Sequence, residues 1–183
     1  MKSRFAVNKK GSFNKMVEKK KSSIHKVFEI LISIIICHAA GIIGSTFTIK
    51  AIPTWYVSLD KPAFNPPNWI FGPVWLTLYT MMGISLYLVW RSKNSSAGFR
   101  TALLVFAIQL LLNAAWTPVF FGARMLFAGL LIIVLLWCSI IATIIAFFPV
   151  NRTSSILLVP YLLWVSFATI LNYSLWSLNR GIL

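Results

Sequence analysis

Acidic residues are nearly missing from this chain. Its 183 residues hold three carboxylates, Glu18, Glu29 and Asp60, and residues 61–183 hold none. Ion- and proton-coupled carriers place a carboxylate at membrane depth to hold the ion. Here only Glu29 comes close, at the entry of the first apolar run, where it reaches the surface. The other reagents of side-chain catalysis are also missing. There is no HExxH, no cysteine pair at metal-ligand spacing, no glycine-rich phosphate loop and no serine with a plausible His–acid partner. Acid–base and metal-dependent hydrolysis are poorly supported, no metal site is expected, and the chain does not read as an enzyme. Cysteine is scarce, with Cys37 and Cys138 in separate apolar runs. Both suit small core residues. Of the two histidines, only His38 lies at membrane depth. A hydrogen bond to a neighbouring carbonyl is its expected role.

Apolar residues are abundant, at 58% of the chain. They gather into five runs, at about 27–49, 69–90, 99–121, 126–148 and 156–178. A run of about 22 residues makes a helix of roughly 33 Å, enough for a hydrocarbon core of about 30 Å. None alternates as a barrel strand does. The expectation is an all-α membrane protein, a five-transmembrane-helix bundle over 27–183, preceded by a basic tail over 1–26. The tail holds nine of the 17 Lys and Arg. It is expected to be disordered in water and to meet anionic lipid. No folded nucleic-acid module accompanies the charge, so nucleic acid is not an expected partner. A cleavable signal peptide is not expected, because both the basic region and the apolar run are too long. Counting Lys and Arg by side gives 13 with the tail and four with the 50–68 segment. The positive-inside rule then places the N-terminus on the cytoplasmic side. The membrane would be the cell membrane in a prokaryote and an organelle membrane in a eukaryote. The sequons at Asn94, Asn151 and Asn172 are expected to stay unused, lying in the links on the tail side or within a span.

The segment from Pro53 to Trp75 holds five of the eight prolines and three of the eight tryptophans. Proline fixes φ and removes a donor, so most of this stretch is neither helix nor central strand. The 50–68 segment reads as an ordered lid over a pocket. Beneath it, helical rise brings Trp75, Asn113, Trp116 and Asn172 to one depth. Spacing also groups them by face, with Gln109, Asn113 and Trp116 at i, i+4, i+7, Trp164, Ala168 and Asn172 at i, i+4, i+8, and Trp75 with Tyr79 at i, i+4. Amides inside a bilayer need partners and turn to the bundle interior. Packing between helices is the plainer reading of these groups. For Trp69, Trp90 and Trp176, near span ends, an interfacial belt is the expected role. Trp137, in mid-span, reads as packing or lipid-facing. Trp75, Trp116 and Trp164 lie too deep for a belt and read as pocket.

Several ordered motifs carry a resemblance. Trp55-Tyr-x2-Leu-x-Lys-Pro-x-Phe-x-Pro-Pro, Phe71-Gly-Pro-Val-Trp, Gln109-Leu-x-Leu-Asn-x2-Trp, Phe120-Phe-Gly-x-Arg and Val159-Pro-Tyr-x2-Trp-Val-x-Phe-Ala-Thr-x-Leu-Asn resemble the translocator protein family, also known as the tryptophan-rich sensory protein family. The resemblance spans about residues 30–180. It implies a five-helix bundle, often a homodimer, with a pocket under the loop between the first two helices that accepts porphyrins and benzodiazepine-site ligands. It implies that Trp55, Tyr56, Pro66, Trp75, Asn113, Trp116, Trp164, Ala168 and Asn172 line that pocket. The family's sterol motif fails here by one residue, since six residues separate Tyr173 from Arg180.

The reading is a membrane receptor or sensor for tetrapyrroles, porphyrin or haem, held as ligands with no cofactor required. The deep tryptophans would stack on the macrocycle, and Asn113 and Asn172 would orient its polar edge. The alternatives are a transporter of porphyrins, sterols or lipids, light- or oxidant-driven porphyrin breakdown through tryptophan, and a structural or partner-binding protein. The Ala40-x3-Gly44 pair would permit close helix approach in the last case.

Overall fold

The computed structural model describes residues 2–92 and 98–180, with side chains from residue 23 onward. The described residues are helices and short connections, with no strand among them. Helix α1 (Lys2–Ala51) is continuous, and its apolar part is Ser23–Ala51. Residues 2–26, read from sequence as a disordered tail, thus carry helical backbone. No proline interrupts them, and extending an existing helix adds a hydrogen bond per residue without a new nucleus. The helix stops at Ala51 because Ile52 precedes Pro53, and a residue before proline is pushed out of the α region. Thr54 then donates from its hydroxyl to the freed carbonyl of Lys50, at 2.8 Å.

Helix α2 (Phe71–Arg91) tolerates Pro73 in its first turn, where N–H groups have no intrahelical acceptor. Helix α3 (Phe99–Thr117) runs into a wide π turn over Pro118–Gly122. The turn closes with Ala123 N–H donating to Pro118 O at 2.8 Å and Met125 N–H donating to Val119 O at 3.2 Å. Arg124 follows in the left-handed region, at φ 59°. Helix α4 (Leu126–Phe147) returns across the bundle. The fifth span is two helices, α5 (Arg152–Leu157) and α6 (Val159–Leu178), broken at Leu158. Pro160 has no N–H for the carbonyl of Ile156, and Leu158 N–H turns to Ser155 and Ile156 instead of Ser154. Ser85 of α2 donates its hydroxyl to the Ser154 carbonyl left over, at 2.8 Å. Of the three sequon asparagines, Asn94 lies outside the described residues. Asn151 caps α5, its side chain accepting from Ser154 N–H at 3.0 Å, and Asn172 is buried.

All five apolar runs are spans, their ends within a few residues of the sequence reading apart from the early starts of the first and last. The protein is a multi-pass integral membrane protein. Its helices close into a ring in the order α1, α2, α5/α6, α4, α3, each packed on the next. The two backbones of α1 and α2 meet at Gly83, where a Cβ would stand 2.5 Å from the Cα of Ile34. A Cβ on Gly44 would meet Thr117 of α3 at 2.9 Å. The Ala40-x3-Gly44 stripe therefore serves close approach within one chain.

Candidate functional site

Under the 52–70 segment the bundle forms a partly open cavity of about 480 Å³, with Ile42, Ile49 and Leu76 exposed at its edge. Four walls meet there. Helix α1 contributes a stripe of small and polar residues, His38, Gly41, Ser45 and Thr48. Helix α2 contributes Phe71, Trp75 and Tyr79. The end of α3 and its π turn contribute Trp116, Thr117 and Phe121, and α6 contributes Trp164 and Ala168. No charged side chain lines the cavity. Among the described residues no group of three or more His, Cys, Asp or Glu could hold a metal ion.

The rings are fixed by one another. Trp75 stacks on Tyr79 with centroids 5.4 Å apart and planes 28° apart, and meets Tyr161 edge-on at 6.3 Å. Trp116 stacks on Phe120 at 5.1 Å, and Trp164 meets Phe71 edge-on at 5.9 Å. Tyr79 donates its phenol proton to Asn113 Oδ1 at 2.6 Å. Asn113 in turn donates from Nδ2 to the Tyr161 hydroxyl at 2.7 Å. Gly41 leaves room for the Tyr79 ring, since a Cβ there would run into it.

The segment above the cavity is tied down at several points. Asn179, just past the end of α6, accepts from Asp60 N–H and donates to Asp60 O, both at 3.0 Å. Tyr56 donates to Asn65 Oδ1 at 2.8 Å. Lys61 donates to the carbonyls of Val57 and Leu59 at 3.0 and 2.9 Å. Tyr56 and Leu59 are buried against Phe120, Leu171 and Leu175. That burial pushes the Tyr56 phenol up to about 12.

Of the residues singled out from sequence, Tyr56, Trp75, Tyr79, Trp116, Trp164 and Ala168 line this one cavity. Trp55, Pro66, Asn113 and Asn172 do not. Trp55 packs its ring on Phe120 and Phe121, at 5.7 and 6.4 Å. Pro66 stays in the loop, its carbonyl accepting from Asn65 Nδ2 at 3.2 Å. Asn113 is used up between two phenols, so its amide orients Tyr79 instead of facing the cavity. The amides of Asn172 and Gln109 are buried without a hydrogen-bond partner among the described residues. His38 bonds the hydroxyl of Thr80, Nε2 to Oγ1 at 3.1 Å, where a carbonyl was expected. Trp137 bonds Ser166 across α4 and α6, Nε1 to Oγ at 2.8 Å. The α1 wall was missed. Its signal was present as small and polar residues at i, i+3, i+7 and i+10 from His38, but on sequence alone that stripe equally suits helix packing.

Residues 33–177 match the model of the TspO/MBR family. The chain is similar to the tryptophan-rich protein TspO of Chlorobaculum tepidum, 44% identical over 158 residues that cover 84% of this chain and 98% of the relative. It is similar to the translocator protein of Homo sapiens, 41% identical over 76% of this chain and 83% of the relative. It is similar to the tryptophan-rich sensory protein of Cereibacter sphaeroides, 36% identical over 77% of this chain and 87% of the relative. With five spans, an aromatic chamber under the first loop and these matches over most of its length, the chain belongs to the TspO/MBR family.

Proposed function

We propose that the cavity is a receptor site for tetrapyrroles, closed by the 52–70 segment and facing the side opposite a cytoplasmic N-terminus. The observation that carries this reading is the composition of the wall. Trp75, Tyr79, Trp116, Phe121 and Trp164 surround about 480 Å³ with no charged side chain between them. A flat aromatic macrocycle offers such walls its two π faces, and contact area with the rings supplies affinity. The polar side chains at the wall, His38, Ser45, Thr48, Asn68, Thr117 and the phenols of Tyr56 and Tyr79, carry no carboxylate among them, which suits orienting a ligand more than binding a hydrated ion.

Packing at the other end favours a receptor over a path through the bundle. Met82, Val89, Ala102, Ile140 and Phe147 have no exposed surface, so the chamber has a solid base.

Titration of the purified chain with metal-free protoporphyrin tests the reading. Binding is expected to quench tryptophan fluorescence. Loss of one stacked ring removes its area and about 0.5–1.5 kcal/mol beyond it, so Trp75→Ala and Trp164→Ala are each expected to weaken binding about tenfold or more. Trp90, at the far end of α2 against Phe99, is the control. Equal weakening by Trp90→Ala places the ligand elsewhere.

A further inference from the structure

We propose that His38 is an axial ligand for the metal of a metallotetrapyrrole, so that the site tells a metal-bearing macrocycle from a metal-free one. The inference rests on the tetrapyrrole reading above. Its basis is a hydrogen-bond chain that assigns the histidine tautomer. The Thr80 hydroxyl has one proton, and it goes to the carbonyl of Leu76, 2.8 Å away, since a carbonyl can only accept. Thr80 Oγ1 must therefore accept from His38, 3.1 Å away, and Nε2 carries the imidazole proton. With the single ring proton on Nε2 the lone pair is left on Nδ1, which makes no hydrogen bond among the described residues.

This is the arrangement a metal-binding imidazole requires. One nitrogen donates its N–H to an oxygen that holds the ring in place and raises its basicity, and the other presents the lone pair. Thr80 is itself anchored to the turn before it, and the ring is held from the side by Tyr79, at 5.8 Å between centroids. The other candidate ligands on the wall are the phenols of Tyr56 and Tyr79, and both are already hydrogen-bonded, to Asn65 and Asn113. Neighbouring Cys37 is fully buried and does not line the cavity, and no carboxylate does. Coordination donates the Nδ1 lone pair to the metal and displaces whatever weak ligand occupied that face. No electron moves and no proton is released, because Nε2–H stays on Thr80.

The test compares ferric haem with metal-free protoporphyrin on the full chain. The wild type is expected to bind haem more tightly than protoporphyrin and to show an imidazole-ligated Soret band. His38→Asn is expected to weaken haem binding about tenfold or more, by analogy with losses seen when metal-site residues are removed. Protoporphyrin binding by the same variant should be nearly unchanged, which also shows that it folds. Thr80→Val keeps the ligand but removes the oxygen that fixes its tautomer, and should shift the Soret band, whereas Thr80→Ser should not. His25→Ala, at the opposite end of the span, should change nothing. Added imidazole should restore the ligated band in His38→Gly. Equal wild-type affinity for the two macrocycles, with a Soret band unaltered in His38→Asn and Thr80→Val, overturns the ligation and leaves the receptor reading intact. Failure of the wild type to bind either macrocycle overturns the receptor reading and the ligation together.

Discussion

The half of the bundle around Ser85, Phe106 and Phe147 and the half around Trp75, Trp116 and Trp164 use much the same ingredients to opposite ends. In the first, Phe106 and Phe147 stack at 5.6 Å with planes 15° apart, and Ser85 and Ser155 spend their hydroxyls on the carbonyls of Ser154 and Ile144. One hydroxyl there takes the Ser154 carbonyl freed at the α5/α6 break, the other ties α5 to α4, and the space fills. In the second, indoles and phenols are too large and too mutually constrained to interpenetrate. Trp75 is held against Tyr79, Tyr79 against Asn113, and Trp116 against Phe120. Rings that brace one another cannot relax into the gap between them, so a chamber persists. The contrast teaches that the cavity rests on large rings that stacks and hydrogen bonds hold apart.

The strongest way to break the contrast is to separate α1 from α2 in the packed region. Gly83→Ala sets a Cβ 2.5 Å from the Ile34 backbone, which cannot rotate away. Overpacking of that kind is expected to cost about 3 kcal/mol or more, read as a lower thermal midpoint in detergent. An unchanged midpoint would mean that the helices slide freely at that contact.

Releasing the segment over the chamber comes next. Asn179→Ala removes both hydrogen bonds to Asp60, worth about 1 kcal/mol each. Ligand off-rate and proteolysis near Ser58 should rise while the midpoint of the bundle barely moves. If off-rates stay as they were, the segment is a cover without a gating role.

Filling the chamber should convert the second half into the first. Ala168→Phe adds a ring to the wall and is expected to weaken porphyrin binding about tenfold, roughly 1.4 kcal/mol, with thermal stability kept or raised. Retained affinity would show that the ligand does not use this space.

Alkaline pH acts on the lid through Tyr56. The Tyr56 phenol is pushed from its ordinary 10.0 to about 12. The unfolded segment therefore loses its proton first, and the closed form binds more protons than the open one. Stability of closure is unaffected below about 10 and falls as pH rises from 10 towards 12. Ligand off-rates measured across that window should climb in the wild type and stay flat in Tyr56→Phe.

The smallest effect concerns Asn172, whose amide has no partner among the described residues. Asn172→Leu is expected to raise stability by about 1 kcal/mol and leave porphyrin affinity unchanged. A large loss of affinity would return this amide to the binding surface.

The spans were legible because a run of apolar residues long enough to cross a bilayer admits one solution, a helix with its backbone groups paired internally. The rigid loop was legible for a similarly local reason, since its prolines restrict the chain wherever it lies. The deep tryptophans could be assigned to a pocket because indoles at that depth fit no interfacial belt. Asn113 and Asn172 could not be assigned. Spacing places an amide on an inward face, but an inward face meets either a neighbour's side chain or a cavity, and only packing distinguishes them. Tyr79 stands between Asn113 and the chamber. The α1 wall was illegible for the converse reason, because small residues read as helix-packing surface whether or not a helix packs there.

By itself, then, the sequence determined that this is a five-span membrane protein with an aromatic, proline-stiffened segment and almost no carboxylate chemistry. These follow from hydrophobic length, φ restriction and composition, which act within a few turns of chain. Tertiary structure alone decided that α1 closes the fourth wall, that Asn179 holds Asp60 across 119 residues of sequence, and that Thr80 turns the lone pair of His38 to Nδ1. Each depends on two helices arriving at a set rotation, and rotation is settled by close approaches such as Gly83 on Ile34, which no single span encodes.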